Sequence, residues 1–461
     1  MKKAYFFLVL LFFGLKISLA QQNPSLNMRL LARWHDENIP RESGWVKNRY
    51  NEVWGWFNPK DGREYAVIGS TIGTHIIDIT DIHHVYQAAF VKGRYDNAIH
   101  RDFKTLQEKY IVGVCDQGKS SLQIIDMSYL PDSVHVIYNG IDILNRSHNV
   151  YVEGNKIYAV FPIKNEDILE SADLTVIDAS DPGNPKEIKK YINSTHGRLH
   201  DLHVRNDTMY ANAEGRGLHI VDMKDPFNPV PIAQVIAYPH AGYNHSGWLN
   251  EKGNVYVMAD ENHGLPVKIL DVSKKDDPQI VSFLAPNMVV NPPASQPIPH
   301  NALVKGDIAF VSYYYHGVQV FDVSEPKTPK LVGSYDTYPD KDSLFYAGAW
   351  GVYPFLPSGH ILASDTEYGL YVLGFNIDST EKASVQVYPN YEQGYIKFFA
   401  NQLLTAPTLK IYNVLGQLLY QKEILTEGSE FYVEFPAWAT SLYFWTIEDK
   451  NKQFFSGKFL K

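Results

Sequence analysis

The chain has 461 residues, 45% of them hydrophobic and 20% charged, with a formal net charge of -9 from 42 basic and 51 acidic side chains. That ordinary globular balance excludes intrinsic disorder, collagen and coiled coil, and the lack of any basic run excludes nucleic acid as the expected partner. So long a chain holds more than one domain unless a repeat fills most of it, and its 13% aromatic content, with 31 Tyr, favours β structure.

At the amino terminus Lys2 and Lys3 precede an apolar stretch from Ala4 to Leu15, and Ser18-Leu19-Ala20 supplies small residues before a cleavage point. This reads as a secretory signal peptide over 1–20, cleaved near Ala20. Lys16 interrupts the apolar stretch after roughly a dozen residues, short of the ~20 that span a bilayer. No later segment is long and apolar enough, so no transmembrane segment is expected in the mature chain. The single cysteine, Cys115, rules out an internal disulfide and a thiolate metal site. Its setting, Val112-Gly113-Val114-Cys115, reads as a buried strand.

One pattern then recurs along the chain. Leu122-Gln-Ile-Ile-Asp126, Leu174-Thr-Val-Ile-Asp178, Leu218-His-Ile-Val-Asp222, Val267-Lys-Ile-Leu-Asp271 and Val318-Gln-Val-Phe-Asp322 are close copies. Thr74-His-Ile-Ile-Asp78 and Leu370-Tyr-Val-Leu-Gly374 are variants at the two ends. Seven copies at intervals of roughly 45 to 50 residues fall in the range of propeller blades. Two strands precede each copy, such as His300-Asn-Ala-Leu-Val304 and Ile308-Ala-Phe-Val-Ser312, and a Pro-containing turn and a last strand follow. Four short strands of this kind make one antiparallel blade. After the seventh copy no fourth strand follows; Met28-Arg-Leu-Leu-Ala-Arg-Trp34 resembles the outer strands and is expected to complete the last blade. The expected fold is therefore all-β: a seven-bladed β-propeller over 28–376, followed by a small C-terminal β-sandwich.

These repeats, with Gly69-Ser-Thr-Ile-Gly-Thr-His-Ile-Ile-Asp78, Tyr243-Asn-His-Ser-Gly-Trp248 and Gly348-Ala-Trp-Gly-Val-Tyr-Pro354, resemble the LVIVD-repeat, choice-of-anchor B family of secreted bacterial proteins. The resemblance implies a propeller and an extracellular setting, and no particular activity.

A polar linker at 377–384 leads to a different unit over 385–461. Leu409-Lys-Ile-Tyr-Asn-Val-Leu-Gly-Gln-Leu-Leu-Tyr420 reads as two strands around a glycine turn, and Phe431–Phe435 and Leu442–Ile447 as further strands. Val387-Tyr-Pro-Asn390, Tyr412-Asn-Val-Leu-Gly-Gln417 and the terminal Gly457-Lys458 resemble the C-terminal sorting domain of type IX secretion in Bacteroidota. Tyr391 and Ser441-Leu-Tyr443 depart from that family's usual pattern. The resemblance implies the type IX secretion machinery as partner, and a final location that is secreted or attached to the outer-membrane surface.

The chemistry lies in the histidines. His100, His148, His200, His245 and His300 each open the first strand of a blade. First strands line the channel of a propeller, so the five imidazoles are expected on one ring, with Val53-Trp54-Gly-Trp56 and Ala349-Trp350-Gly-Val352 at the two remaining positions. Neutral imidazole is the commonest protein ligand for zinc, copper or nickel, and a metal-bound water attacks an ester, lactone or phosphate. The same residues equally suit structural hydrogen bonds between blades, or direct contact with an organic ligand. Asp116, Asp260 and Asp365 follow second strands and are expected at the channel mouth, with Trp54 and Trp350 as apolar faces for an extracellular carbohydrate or protein ligand. His196, His240, His263 and His316 lie outside the register and read as loop or surface histidines. Two functions follow: a surface propeller that binds a ligand at its channel face, or a metal-dependent hydrolase using a transition metal such as zinc on the histidine ring.

Overall fold

The computed structural model describes residues 25–164, 171–192, 194, 196–284, 297–338, 345–376, 385–390, 395–423, 428–434, 438 and 440–460. The expected signal peptide at 1–20 and the expected linker at 377–384 lie outside them. Every regular element among the described residues is a β-strand.

Before residue 376 the strands form seven four-stranded antiparallel sheets. Their first, inner strands are Tyr50–Phe57, Arg101–Leu106, Asn149–Glu153, Asp201–Arg205, Asn244–Leu249, Ala302–Lys305 and Ala349–Tyr353. Each inner strand touches those of the sheets before and after it, and the last touches the first, so the row closes about one axis. In the first six sheets the four strands follow in sequence order; in the seventh the outer strand is Met28–Trp34. It pairs with Gly369–Phe375 from Met28↔Phe375 to Trp34↔Leu370, covering an edge that would otherwise expose a ladder of unpaired backbone groups.

The recurrent five-residue motif is explained position by position. Its strand is packed between two neighbouring sheets, so apolar residues are needed on both faces. In the third sheet Leu174 and Val176 pack with Leu202, Val204 and Met209 of the fourth, whereas Ile177 packs with Val112, Val114 and Ile124 of the second. In the fourth, fifth and sixth sheets the second position is polar yet buried, because it reaches back to the turn between the second and third strands. His219 Nε2 donates to Arg216 O, Gln319 Nε2 to His316 O and Lys268 Nζ to Asp260. The terminal Asp ends the strand: Oδ1 of Asp78, Asp126, Asp178, Asp222, Asp271 and Asp322 each accepts the N–H two residues on, at 2.9–3.0 Å. The carboxylate thus closes an Asx turn in the polypeptide leading to the outer strand. Ser180 and Ser273 hydroxyls bonded to Asp178 and Asp271 hold these carboxyls below their ordinary value. Cys115 ends the strand Tyr110–Cys115, fully buried, and burial pushes its thiol up.

The C-terminal unit has a three-stranded sheet, Val385–Asn390, Tyr395–Leu404 and Gly428–Glu434, and a four-stranded one, Leu418–Glu423, Thr408–Tyr412, Leu442–Glu448 and Phe454–Leu460. Ile396, Phe398 and Val433 of the first pack with Leu409, Ile411, Trp445 and Ile447 of the second, which makes a two-layer sandwich.

The Asx turns give a direct test. Replacing Asp178 by Ala removes the acceptor and is expected to cost about 1 kcal/mol in urea denaturation. Asp178→Asn keeps an oxygen in place and is expected to cost less; equal losses in the two variants would contradict the turn-closing role.

Candidate functional site at the channel ring

All seven inner strands run the same way, because each is entered from the outer strand of the preceding sheet and left by a hairpin. Their first residues therefore share one face of the ring, and the turns between second and third strands return to that same face. Side chains from these two sources are the ones that can meet there.

They meet in a closed circle of aromatic rings. Neighbouring centroids lie 4.7 Å apart for His100 and His148, 4.2 Å for His148 and His200, 3.9 Å for His200 and His245, and 4.4 Å for His245 and His300. Trp350 closes the circle, 4.7 Å from His300 and 5.7 Å from His100. All except His148 are buried, and His148 is half-buried.

The hydrogen bonds distinguish the five imidazoles. Nδ1 of His200 donates to the main-chain oxygen of His245 at 3.2 Å, and Nδ1 of His300 to that of Trp350 at 2.6 Å. A carbonyl only accepts, so Nε2 of each carries the lone pair. His100 is turned the other way, with Nε2 on Asn149 Oδ1 at 2.8 Å. His148 Nδ1 lies 2.8 Å from Asp116 Oδ2. Although burial pulls the His148 imidazole down, its bond to Asp116 and that carboxylate's charge raise it above its ordinary value. Burial and the surrounding imidazoles hold His200 and His245 far below theirs, so both are neutral.

One further group completes a ligating set. Glu261, in the turn after the strand Val255–Asp260, places Oε2 3.7 Å from His245 Nε2. A ligand atom from each of His200, His245 and Glu261 lies within 4.8 Å of the other two. The Tyr314 hydroxyl donates to Glu261 Oε1 at 2.5 Å and fixes the carboxylate, and burial raises its carboxyl to about 7. Three polar atoms of the circle, His100 Nδ1, His245 Nδ1 and Trp350 Nε1, are buried without a hydrogen-bond partner, a costly state in a protein interior.

Several sequence expectations need correction. Asp260 is not at the mouth: it is wholly buried, bonded to Lys268 Nζ at 2.8 Å, to Tyr238 and to Gly242 N. Its neighbour Glu261, the first residue of the turn, is the one that meets the imidazoles. Asp365 is likewise enclosed, accepting from Thr337 Oγ1, Glu367 N and Tyr368 N. Of the three aspartates only Asp116 reaches the circle. Trp350 joins it, but as a buried member instead of an open platform. Trp54 does not: it is the fifth residue of its inner strand where Trp350 is the second, which sets it about 10 Å deeper. There it packs 4.7 Å from Tyr353 and 6.5 Å from Trp248, under Lys104. His196 and His316 are buried instead of exposed. Glu261 escaped sequence reading, its only signal being the acidic pair Asp260-Glu261.

Comparison with known proteins agrees with this architecture. Residues 386–461 match the secretion system C-terminal sorting domain, and residues 169–193 and 300–337 match the LVIVD repeat. The chain carries LVIVD repeats and ends in a sorting domain. Among solved structures, the RRP9 WD40 repeats superpose with a TM-score of 0.50 at 11% identity, over 77% of this chain and 100% of theirs. U3-55K superposes with a TM-score of 0.50 at 11% identity, over 76% of this chain and 98% of its own. At that identity the likeness concerns the propeller fold alone. No curated protein matches the sequence. The sorting domain marks the protein for type IX secretion, to the outer-membrane surface or beyond. No helix among the described residues is long and apolar enough to cross a membrane.

Along the axis of the LVIVD propeller a polar layer lines a cavity of about 30 Å³, with Glu52, Asp102, Lys104, Asn149, Asp201, Ser246 and Asn301 around it. That is the size of one or two water molecules. Lys104 bonds both oxygens of Asp102, at 2.8 and 3.0 Å, and Asn301 Nδ2 donates to Glu52 Oε2 at 2.6 Å. Burial pushes Asp201 up to about 6. Burial, with the charge of Asp102 adding to it, also raises Glu52 well above its ordinary 4.5. Trp54, Trp248 and Leu303 also line this space, and Trp248 continues into Tyr151, His203 and Phe355, 4.5–5.7 Å away.

Because Glu52 is raised in the native state, the folded chain binds more protons than the unfolded one from its ordinary value upwards, and stability falls as pH rises through that window. Glu52→Gln lacks this loss. Its melting temperature relative to wild type is therefore expected to climb between about pH 5 and about pH 8. A difference that stays flat across thermal melts in that range would show that Glu52 is ionised in the folded protein.

Proposed function

We propose that the protein is an exported β-propeller that holds a transition metal ion at its channel face, on His200, His245 and Glu261. The observation that carries this reading is the convergence of two neutral imidazoles and one carboxylate, with their ligand atoms within 4.8 Å of one another. Two imidazoles with a carboxylate suit zinc and the neighbouring divalent transition metals, and leave a coordination position open. The surroundings support it. The tautomer of His200 is fixed by a main-chain oxygen, and Glu261 is oriented by Tyr314. Such outer partners are what a metal site requires of its ligands. A bound cation would also stabilise the buried carboxylate in its ionised form. The inter-blade bonds of His200 and His300 use one nitrogen each, so structural knitting and ligation do not compete at His200.

Hydrolysis at such a centre would rest on the acidity of metal-bound water. Asp260 and Asp365 are committed elsewhere, so Asp116 is the aspartate of that trio left near the ring to assist. The export route and the ring together favour binding as the primary role.

Elemental analysis of tag-free protein tests the proposal. One transition-metal ion per chain is expected in the wild type and none in His200→Ala or His245→Ala. Tyr314→Phe keeps all three ligands and is expected to weaken affinity about 10- to 100-fold in chelator competition. A native protein that folds, carries no metal and takes up none from zinc, copper or nickel buffers would overturn it.

A further inference from the structure

A second cavity lies away from the channel, in the crevice between the third and fourth sheets, and is far larger, about 600 Å³. That falls in the range of small-molecule sites, about 300–1,000 Å³. Its walls are mostly apolar, with Leu174 from the third sheet and Met209, Val221 and Met223 from the fourth. Nearby, Ile192, Phe227 and Val230 are large apolar side chains left exposed, a feature of interaction sites when such residues gather.

Two imidazoles, His196 and His219, are the main polar features of the lining, with ring centroids 6.2 Å apart. Their tautomers follow from their partners. His219 Nε2 donates to Arg216 O at 3.2 Å, which leaves Nδ1 as an acceptor. The Ser194 hydroxyl donates to Asp173 Oδ2 at 2.7 Å, so His196 Nδ1, 2.7 Å from Ser194 Oγ and 3.0 Å from Gly197 O, is the donor there. Nε2 of His196 is then also an acceptor. Burial lowers both imidazoles, so neither offers a positive charge to an anion. The equivalent histidine of the first sheet differs: His75 engages both nitrogens, with Ser70 and Gln87. The latch to Arg216 needs only one nitrogen of His219, and the second is surplus to the fold.

We propose that this crevice binds a small, largely apolar molecule bearing a hydrogen-bond donor, such as an alcohol or a phenol. The apolar walls would take the body of the ligand, and His219 Nδ1 or His196 Nε2 would accept its O–H. This site is independent of the metal reading and survives its failure.

The test uses the full chain and two fluorescent probes, 1-hydroxypyrene and 1-methoxypyrene, which differ in a single donor. Saturable binding of the hydroxyl compound is expected, about tenfold tighter than the methyl ether. His219→Leu is expected to reduce that preference, and Gln234→Trp, opposite His219 and lining the crevice, to abolish binding of both. No saturable binding, or equal affinity for the two probes on the wild-type protein, would overturn the proposal without relying on either variant. A folded Gln234→Trp protein that binds as well as wild type would overturn it too.

Discussion

Closure about a single axis is the constraint from which the rest follows. Seven inner strands running the same way place their first residues in one small circle, and whatever occupies those positions must pack against its counterparts. Here the occupants are five imidazoles and an indole, with centroid spacings between 3.9 and 5.7 Å. At that density water is excluded, the cationic form of His200 and His245 is disfavoured, and main-chain oxygens take up the Nδ1 protons of His200 and His300. The lone pairs that remain are a by-product of packing, and Glu261 is the addition that brings a carboxylate to within 3.7 Å of His245 Nε2.

The same closure explains the layering along the axis. The aromatic circle, the layer of Glu52, Asp102 and Asp201 with Lys104, and the packed group around Trp248 occupy different positions along the inner strands. A single lysine shared among three carboxylates leaves the layer short of positive charge. Burial then raises Glu52 and Asp201. The channel is too narrow there for an organic molecule, which is why the reading of the ring turns on an ion.

The architecture was legible in the amino acids because each sheet imposes the same local demands. Apolar residues on both faces recur in every copy, a turn-closing aspartate in six of the seven, and a latch at the second motif position in several. The register of the histidines was legible for the same reason. Individual side chains near the face were not, because a shift of one residue reverses the direction in which a strand residue points. Asp260, the last residue of its strand, is enclosed, while Glu261, the first of the turn, reaches the imidazoles, and the sequence does not mark where the strand gives way to the turn. Trp54 and Trp350 share a Trp-Gly pair, yet they sit at different positions along their strands, and no local pattern reveals that offset. The crevice of His196 and His219 was hidden more deeply, since it joins residues of two sheets and of a loop that the repeat does not cover.

The pairing of Met28–Trp34 with Gly369–Phe375 has a bearing on how the molecule matures. The first strand among the described residues has no ladder partner until the polypeptide reaches residues 369–375, so the propeller cannot close before the chain has been made and delivered that far. Trp350, which seals the aromatic circle, belongs to that same last-assembled sheet. The aromatic circle would thus close only once the chain has been delivered as far as that sheet, and any shorter stretch would leave it open.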